Sequence, residues 1–341
     1  MRIAIVSPIC WRTPPRHYGP WEMVASLVAE GLGETGEEVT LFATGDSITR
    51  GRLLWTCPRP LYEDPNLDSK VEEYLHVSSV FEEAKKGSFD LVHNHYDFMP
   101  LAFSRMVDTP VVTTIHGFSG PSILPVYRKY SGRVKYVSIS NASRHPELEY
   151  IDTVYHGIPV EEYRFGEGRR DGLAYLGRIA PDKGTHLAIE TSLAAGERLT
   201  IAGIVQDRDY FREMVEPHLD GDRVRYIGPI GIEGKNALLP SCVALLHMAP
   251  RPEAFGLSLV ESMACGTPVV AYPYGSIPEV VEDGVTGRIV QDVREGVRAI
   301  AGVSSLDPRP IREWVKERFS RERMVQGYLG VYRRVLEEHT S

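Results

Sequence analysis

The sequence predicts an α/β protein of two doubly wound, Rossmann-like domains, and three observations carry that expectation. At 341 residues the chain is too long for one ordinary core. Short β-branched runs alternate with helical patterns, which implies parallel sheets with helices on both faces. The alternation runs once, pauses across His156–Gly172 where turn-forming and charged residues cluster, and then starts again.

In the first series strands are expected at Arg2–Val6, Val39–Ala43, Asp90–His95, Pro110–Ile115 and Lys135–Ser140. Helical patterns lie between them at Trp21–Leu32, Val71–Lys85 and Pro100–Val107. The second series places strands at Leu173–Leu176, Leu199–Ala202, Val224–Ile227, Val243–His247, Pro268–Ala271 and Gly287–Val290. Apolar residues at Met324, Tyr328, Val331 and Val335 mark a last amphipathic helix over Arg321–Glu338. The expected domains are therefore 1–157 and 158–320, followed by a terminal helix within 321–341.

Composition narrows the classes of function. Hydrophobic content of 43% with 25% charged residues is that of a globular protein in water. A net charge of −8, shared by both halves, argues against nucleic acid as a partner and against a basic membrane-seeking face. The four cysteines, Cys10, Cys57, Cys242 and Cys265, show no metal-type spacing and are expected to be reduced. No apolar stretch approaches the ~18 residues that cross a bilayer. The start, Met-Arg-Ile-Ala-Ile-Val, enters a strand-like segment directly, so no secretory signal is expected and a cytoplasmic location is.

The densest chemistry lies in Arg251-Pro-Glu253-Ala-Phe255-Gly256-Leu257-Ser258-Leu-Val-Glu261, where seven residues separate two carboxylates. Glu253 precedes an apolar run at helical spacing, and Glu261 lies inside it. Such a helix start leaves backbone N–H groups at Gly256, Leu257 and Ser258 without intrahelical partners, which suits a phosphate. The two carboxylates can then accept hydrogen bonds from hydroxyls on either side of that phosphate. A sugar nucleotide has this layout: sugar hydroxyls, diphosphate, ribose hydroxyls. A second cluster, Gly177-Arg178-Ile-Ala-Pro-Asp-Lys183-Gly184, follows a strand end, where doubly wound folds bind ligands. Arg178 and Lys183 can converge on a diphosphate and stabilise the charge that grows on it as a leaving group.

Together these segments resemble the retaining glycosyltransferases of family 4, whose donor site carries a Glu-x7-Glu motif. Tyr155-His156-Gly157-Ile-Pro-Val-Glu-Glu-Tyr163 resembles their interdomain signature, usually written with Asn in place of His156. Pro14-Pro-Arg-His-Tyr18-Gly19-Pro-Trp21-Glu22 resembles the glycine-rich acceptor-side loop of a subgroup. The resemblance implies the GT-B architecture, with an interdomain cleft and a C-terminal helix crossing back to the first domain. It implies a catalytic set of Arg178, Lys183, Glu253 and His116, the last in an Ile-His-Gly context near the donor sugar. It implies donor binding by Gly19, Gly177, Phe255, Gly256, Leu257, Ser258 and Glu261, with Glu253 on sugar hydroxyls and Glu261 on the ribose.

The expected activity is retaining transfer of a hexosyl unit from a nucleotide diphosphate sugar, with no cofactor and no metal. UDP-glucose is the favoured donor. The acceptor is a small molecule, a glycan or a lipid-linked molecule. The alternatives are a GDP-mannose-dependent mannosyltransferase and a non-catalytic nucleotide-sugar binder. A dehydrogenase would need G-x-G-x-x-G after the first strand, but the chain reads Ser-Pro-Ile-Cys-Trp-Arg there. Three further sequences imitate metal sites: His93-Asn-His95, Asp207-Arg-Asp209 and Asp220-Gly-Asp222. The first lacks a carboxylate–histidine partner set with convincing spacing. The two Asp-x-Asp sequences fall in or beside a helical, polar stretch instead of a strand-end loop of the first domain, and the Arg178/Lys183 pair already supplies countercharge to a diphosphate.

Overall fold

The computed structural model describes residues 1–340 and divides into two compact units, residues 1–157 with 321–341 and residues 158–320. The first unit runs β1 (Arg2–Val6), α1 (Pro20–Glu34), β2 (Glu38–Phe42), β3 (Arg52–Leu54), α2 (Ser69–Lys85), β4 (Leu91–Asn94), β5 (Val111–Ile115), α3 (Leu124–Tyr130), β6 (Val134–Ser138) and β7 (Tyr150–Thr153). Its seven strands form one parallel sheet in the order β3-β2-β1-β4-β5-β6-β7. Ile3 stands opposite Val39 on one side and Leu91 on the other, and the residues of β1 from Ile3 onward are fully buried. Burial on both faces is why β1 reads as an unbroken apolar run from Ile3 to Val6.

The second unit contains β8 (Leu173–Leu176), α4 (Thr185–Ala195), β9 (Leu199–Ala202), α5 (Arg208–Met214), β10 (Val224–Tyr226), α6 (Ile232–Leu238), β11 (Ala244–His247), α7 (Leu257–Ala264), β12 (Val269–Ala271), α8 (Ile277–Val280), β13 (Gly287–Ile289), α9 (Val293–Val303) and α10 (Pro308–Phe319). Its parallel sheet has the order β10-β9-β8-β11-β12-β13. In each sheet the strand order reverses once, between β1 and β4 and between β8 and β11. Crevices open at the C-terminal ends of strands at such reversals, so loops leaving these four strands are the ones placed to meet a ligand.

The chain then returns to the first unit as α11 (Arg321–Thr340), which packs against α1. A methyl group on Gly31 would lie 2.5 Å from Val325 Cγ2, so a glycine there lets the two helices approach closely. Tyr328 and Tyr332 of α11 are fully buried. Each hides on the order of 200 Å² of largely apolar surface, a contribution of a few kcal/mol that holds this helix on its unit.

Several short elements differ from expectation. Pro100–Val107 does not form an α-helix; Met99–Met106 winds as a 3₁₀ helix, whose proline has no N–H for an α-helical ladder. The strands β3 and β7 were not expected. They lie at the two sheet edges, half exposed, and so lack the apolar run of a buried strand. The helix α10 was missed as well; Asp307 caps it by accepting the Arg309 amide.

Two glycines give a matched test of backbone constraint. Gly203 has φ 148°, and a methyl group there would lie 1.8 Å from the Gly177 carbonyl oxygen. Gly203→Ala should cost about 3 kcal/mol or more, since neither the conformation nor the contact can relax cheaply. Gly33, in the last turns of α1, has nothing within 4 Å of that position, so Gly33→Ala should stabilise by up to ~1 kcal/mol. Urea unfolding of both variants measures the contrast, and equal midpoints would contradict it.

Candidate active site

In the second unit the reversal between β8 and β11 brings together the two clusters singled out in the sequence. The loop after β8 is clamped by Tyr175, whose hydroxyl donates to the Arg178 carbonyl at 2.8 Å. Gly184 ends that loop at φ 67°, and a side chain there would lie 2.0 Å from the Met248 carbonyl oxygen beyond β11. This close approach lets Lys183 reach across: its Nζ lies 2.5 Å from Glu253 Oε2. The Glu253 backbone is fixed in turn, bridging to Gly275 and accepting the Ser276 amide at 2.9 Å.

Glu261 is built the same way. Its Oε1 accepts from Lys235 Nζ on α6 at 2.6 Å and from the Tyr163 hydroxyl at 3.0 Å. Burial, then Glu261, pushes the Tyr163 phenol well above its ordinary range, so it remains a donor. Both glutamates therefore have one oxygen held by a lysine. The other oxygen, Oε1 of Glu253 and Oε2 of Glu261, has no hydrogen bond among the described residues. Burial would raise the Glu253 carboxyl. His247, 3.5 Å away, and Lys183 outweigh it and hold the group well below the ordinary carboxylate range.

The remaining expected residues divide between site and scaffold. Gly256 takes a left-handed conformation (φ 88°) as the N-cap of α7; Leu257 and Ser258 follow as its first residues, and no side chain caps them. The Phe255 ring is buried edge-on against Phe319 at 5.8 Å, and its carbonyl accepts from the Ser276 hydroxyl at 3.0 Å. The Gly177 amide donates to the Ala202 carbonyl. Arg178 does not join Lys183 in this arrangement; it pairs with Asp182 at 3.1 Å and donates to Gln206. The two Asp-x-Asp sequences do structural work: Asp207 caps α5, Asp209 pairs with Arg212, and Asp220 accepts three backbone amides of its own turn. Among the described residues no group of three His, Cys, Asp or Glu side chains is disposed to hold a metal ion.

In the first unit Gly19 (φ 146°) is the N-cap of α1, Pro20 is its first residue, and Trp21 stacks on His116 with ring centres 5.4 Å apart. His116 follows β5 and is buried. Neither of its nitrogens points to open space: Nε2 lies 2.9 Å from His95 Nδ1, and Nδ1 lies 3.4 Å from His156 Nε2. His95 continues to His93 at 3.2 Å, and His93 meets Thr114 and Tyr332 at 2.8 and 2.6 Å. The apparent metal motif is thus part of a row of four buried imidazoles. Lys235, His247, Tyr163, Trp21 and His156 all adjoin expected site residues, and none was assigned a role from the sequence.

Two family profiles match the chain. The profile described as "Glycosyltransferase Family 4" covers residues 22–145, and "Glycosyl transferases group 1" covers residues 162–308. The chain belongs to glycosyltransferase family 4. Curated relatives include D-inositol 3-phosphate glycosyltransferases. That of Mycolicibacterium paratuberculosis is 28% identical over 223 residues, covering 58% of this chain and 50% of that one. That of Mycobacterium tuberculosis strain F11 is 30% identical over 224 residues, covering 56% and 45%. The chain spans about half the length of the curated relatives it matches. Solved structures share the fold over nearly the whole length. A sucrose-phosphate synthase from Thermosynechococcus elongatus superposes with a TM-score of 0.81 at 18% identity, covering 99% of each chain. A glycosyltransferase involved in avilamycin A biosynthesis gives 0.74 at 22% identity, covering 98% of each. HepE of Anabaena, in complex with UDP and glucose, gives 0.75 at 18%, covering 97% of this chain and 99% of that one. This family 4 chain therefore has the GT-B fold, and no helix among its described residues is long and apolar enough to cross a membrane.

The buried imidazoles of this glycosyltransferase-family chain make its stability depend on pH. Burial lowers His93, His95 and His116 well below 6.5, His76 to about 4 and His156 to about 3. Unfolded histidines bind protons more readily, so this contribution is complete above pH 6.5 and is lost as pH falls towards the folded values. Each such ring costs up to ~1.4 kcal/mol per pH unit in that window. Glu22, raised to about 7 by burial, acts in the opposite sense between pH 4.5 and 7 but is a single group. Thermal unfolding at pH 7, 6 and 5 should show a midpoint falling steadily with acidification. A constant midpoint would mean the rings are already charged or solvated.

Proposed function

We propose that the chain is a retaining hexosyltransferase that takes its sugar from a nucleotide diphosphate donor, with UDP-glucose favoured, and needs no metal ion. The observation that carries this reading is the shared construction of Glu253 and Glu261. In each, a lysine compensates burial through one oxygen while the other oxygen stays unbonded. An acceptor so placed beside a ligand takes a hydroxyl hydrogen, and charge-assisted bonds of that kind are worth about 1.5–3 kcal/mol.

Glu253 would take donor-sugar hydroxyls and Glu261 the ribose, with the diphosphate on the uncapped start of α7 and on Lys183. A lysine ammonium has three hydrogens, so Lys183 can keep Glu253 and still donate to a phosphate oxygen. Arg178 would join by exchanging Asp182 for the diphosphate. As the bond from the anomeric carbon to the leaving oxygen breaks, negative charge grows on the diphosphate, and these two cations stabilise it. The acceptor oxygen forms the new bond on the same face, and its proton passes to an oxygen of the departing diphosphate. The UDP and UDP-glucose complexes of HepE lend weight to a uridine donor. A GDP-mannose donor is the alternative, and a non-catalytic binder would retain affinity without turnover.

Incubation with UDP-glucose and with GDP-mannose, scored for released nucleotide, tests the activity. Release from UDP-glucose is expected. Release from neither, with binding retained, would leave only a binder. The same release should survive EDTA, because two side-chain cations and a helix N-terminus supply the countercharge. Loss on chelation with recovery by manganese would contradict that.

The two glutamates should separate by ligand. Glu261→Gln should weaken bare UDP roughly tenfold, since it removes the charge that strengthens the ribose bonds. Glu253→Gln should leave UDP affinity nearly unchanged and weaken only the intact sugar nucleotide. Titration calorimetry of both variants with both ligands decides this, and identical behaviour would overturn the division of roles.

A further inference from the structure

The row of histidines in the first unit can be ordered from the hydrogens available to it. Burial keeps all four rings neutral, so each has one N–H and one acceptor nitrogen. The links His93–His95, His95–His116 and His116–His156 each need one donor and one acceptor. Fixing the proton on any ring therefore fixes it on the others, and the row has only two consistent orders.

The His93 end distinguishes them. His93 Nδ1 faces the Tyr332 hydroxyl at 2.6 Å and His95 Nε2 at 3.2 Å. If His93 carried its hydrogen on Nε2, the single lone pair of Nδ1 would have to accept from both neighbours. With the hydrogen on Nδ1, one N–H is shared between two acceptors in a three-centre arrangement, and the Tyr332 hydroxyl acts as an acceptor whose own hydrogen has no partner among the described residues. The other nitrogen is then satisfied as well. Thr114 donates to His93 Nε2 at 2.8 Å and accepts from the Tyr328 hydroxyl at 3.0 Å. The order passes along the row: His95 donates from Nδ1 to His116 Nε2, and His116 donates from Nδ1 towards His156.

We infer that His93 and His95 are positioning residues that hold His116 as the tautomer protonated on Nδ1, with its ring fixed by the stack on Trp21. The 3.4 Å contact to His156 is the longest in the row. Nδ1–H is thus the more weakly held of the two positions, whereas Nε2 is held by His95 at 2.9 Å. His116 would meet a sugar hydroxyl as a donor and not as an acceptor. That last step rests on the transferase reading above; the order of the row does not.

Position 95 allows the sense of one hydrogen bond to be reversed at nearly constant shape. Asn places an amide nitrogen where His95 has Nδ1 and still donates to His116; Asp places an oxygen there and only accepts. Nitrogen-15 NMR of histidine-labelled protein reads the tautomer directly. His116 should carry its proton on Nδ1 in the unaltered protein and in His95→Asn. In His95→Asp it should become protonated on Nε2. An Nε2–H tautomer in the unaltered protein overturns the inference, and that measurement decides the matter even if neither variant folds. So does a tautomer that His95→Asp leaves unchanged. Nucleotide release from UDP-glucose supplies the second reading. The turnover constant should fall at least tenfold in His95→Asp and stay within about threefold in His95→Asn. Unchanged release in an Asp variant whose tautomer has switched would remove His116 from the transfer reaction while leaving the row intact.

Discussion

A carboxylate removed from water must recover its solvation from a cation or from hydrogen-bond donors, and that constraint shapes the ligand end of the second unit. Glu253 and Glu261 lie on one short segment, yet each is compensated by a lysine distant in sequence: Lys183 after β8 and Lys235 on α6. The compensation is partial by geometry, because both lysines engage a single oxygen. A side chain compensated in this way is stable without a ligand and still able to accept a hydroxyl. The fixed backbone of Glu253, the left-handed Gly256 and the close approach at Gly184 all hold this balance in place.

The first unit meets the same cost by another route. Its four histidines have no carboxylate among them to balance a charge, so burial leaves them neutral and three ring-to-ring hydrogen bonds link them. The tyrosines of α11 complete the row at one end, which gives that helix a polar role beside its apolar packing. Neutral rings cannot draw on ionic attraction, so their arrangement depends on the direction of each hydrogen bond. Direction, not charge, is what this half of the molecule stores.

Much of this was legible in the sequence, for identifiable reasons. Inner parallel strands are buried on both faces, and they announce themselves as an apolar run in Ile3–Val6 and as a β-branched run in Val111–Ile115. Gly256 before an apolar helix and Gly184 after a lysine mark sharp turns into helices. Edge strands β3 and β7 carry no such signal, because half their surface faces water. Lys235 could not be read at all: it lies 26 positions before Glu261, on a different helix, and only the fold joins them. His247 likewise looked like the end of a buried strand. His93 and His95 were visible as a motif, but their meaning depended on His116 and His156, which the sheet brings beside them from later in the chain.

The central claim is that the two lysine-compensated glutamates form a nucleotide-sugar site, and a crystal structure of the chain with UDP tests it most directly. The ribose should lie within hydrogen-bond distance of Glu261 Oε2, with Lys183 donating to the diphosphate and Arg178 turned from Asp182 towards it. A nucleotide bound elsewhere, with both lysine–glutamate pairs untouched, would contradict the account.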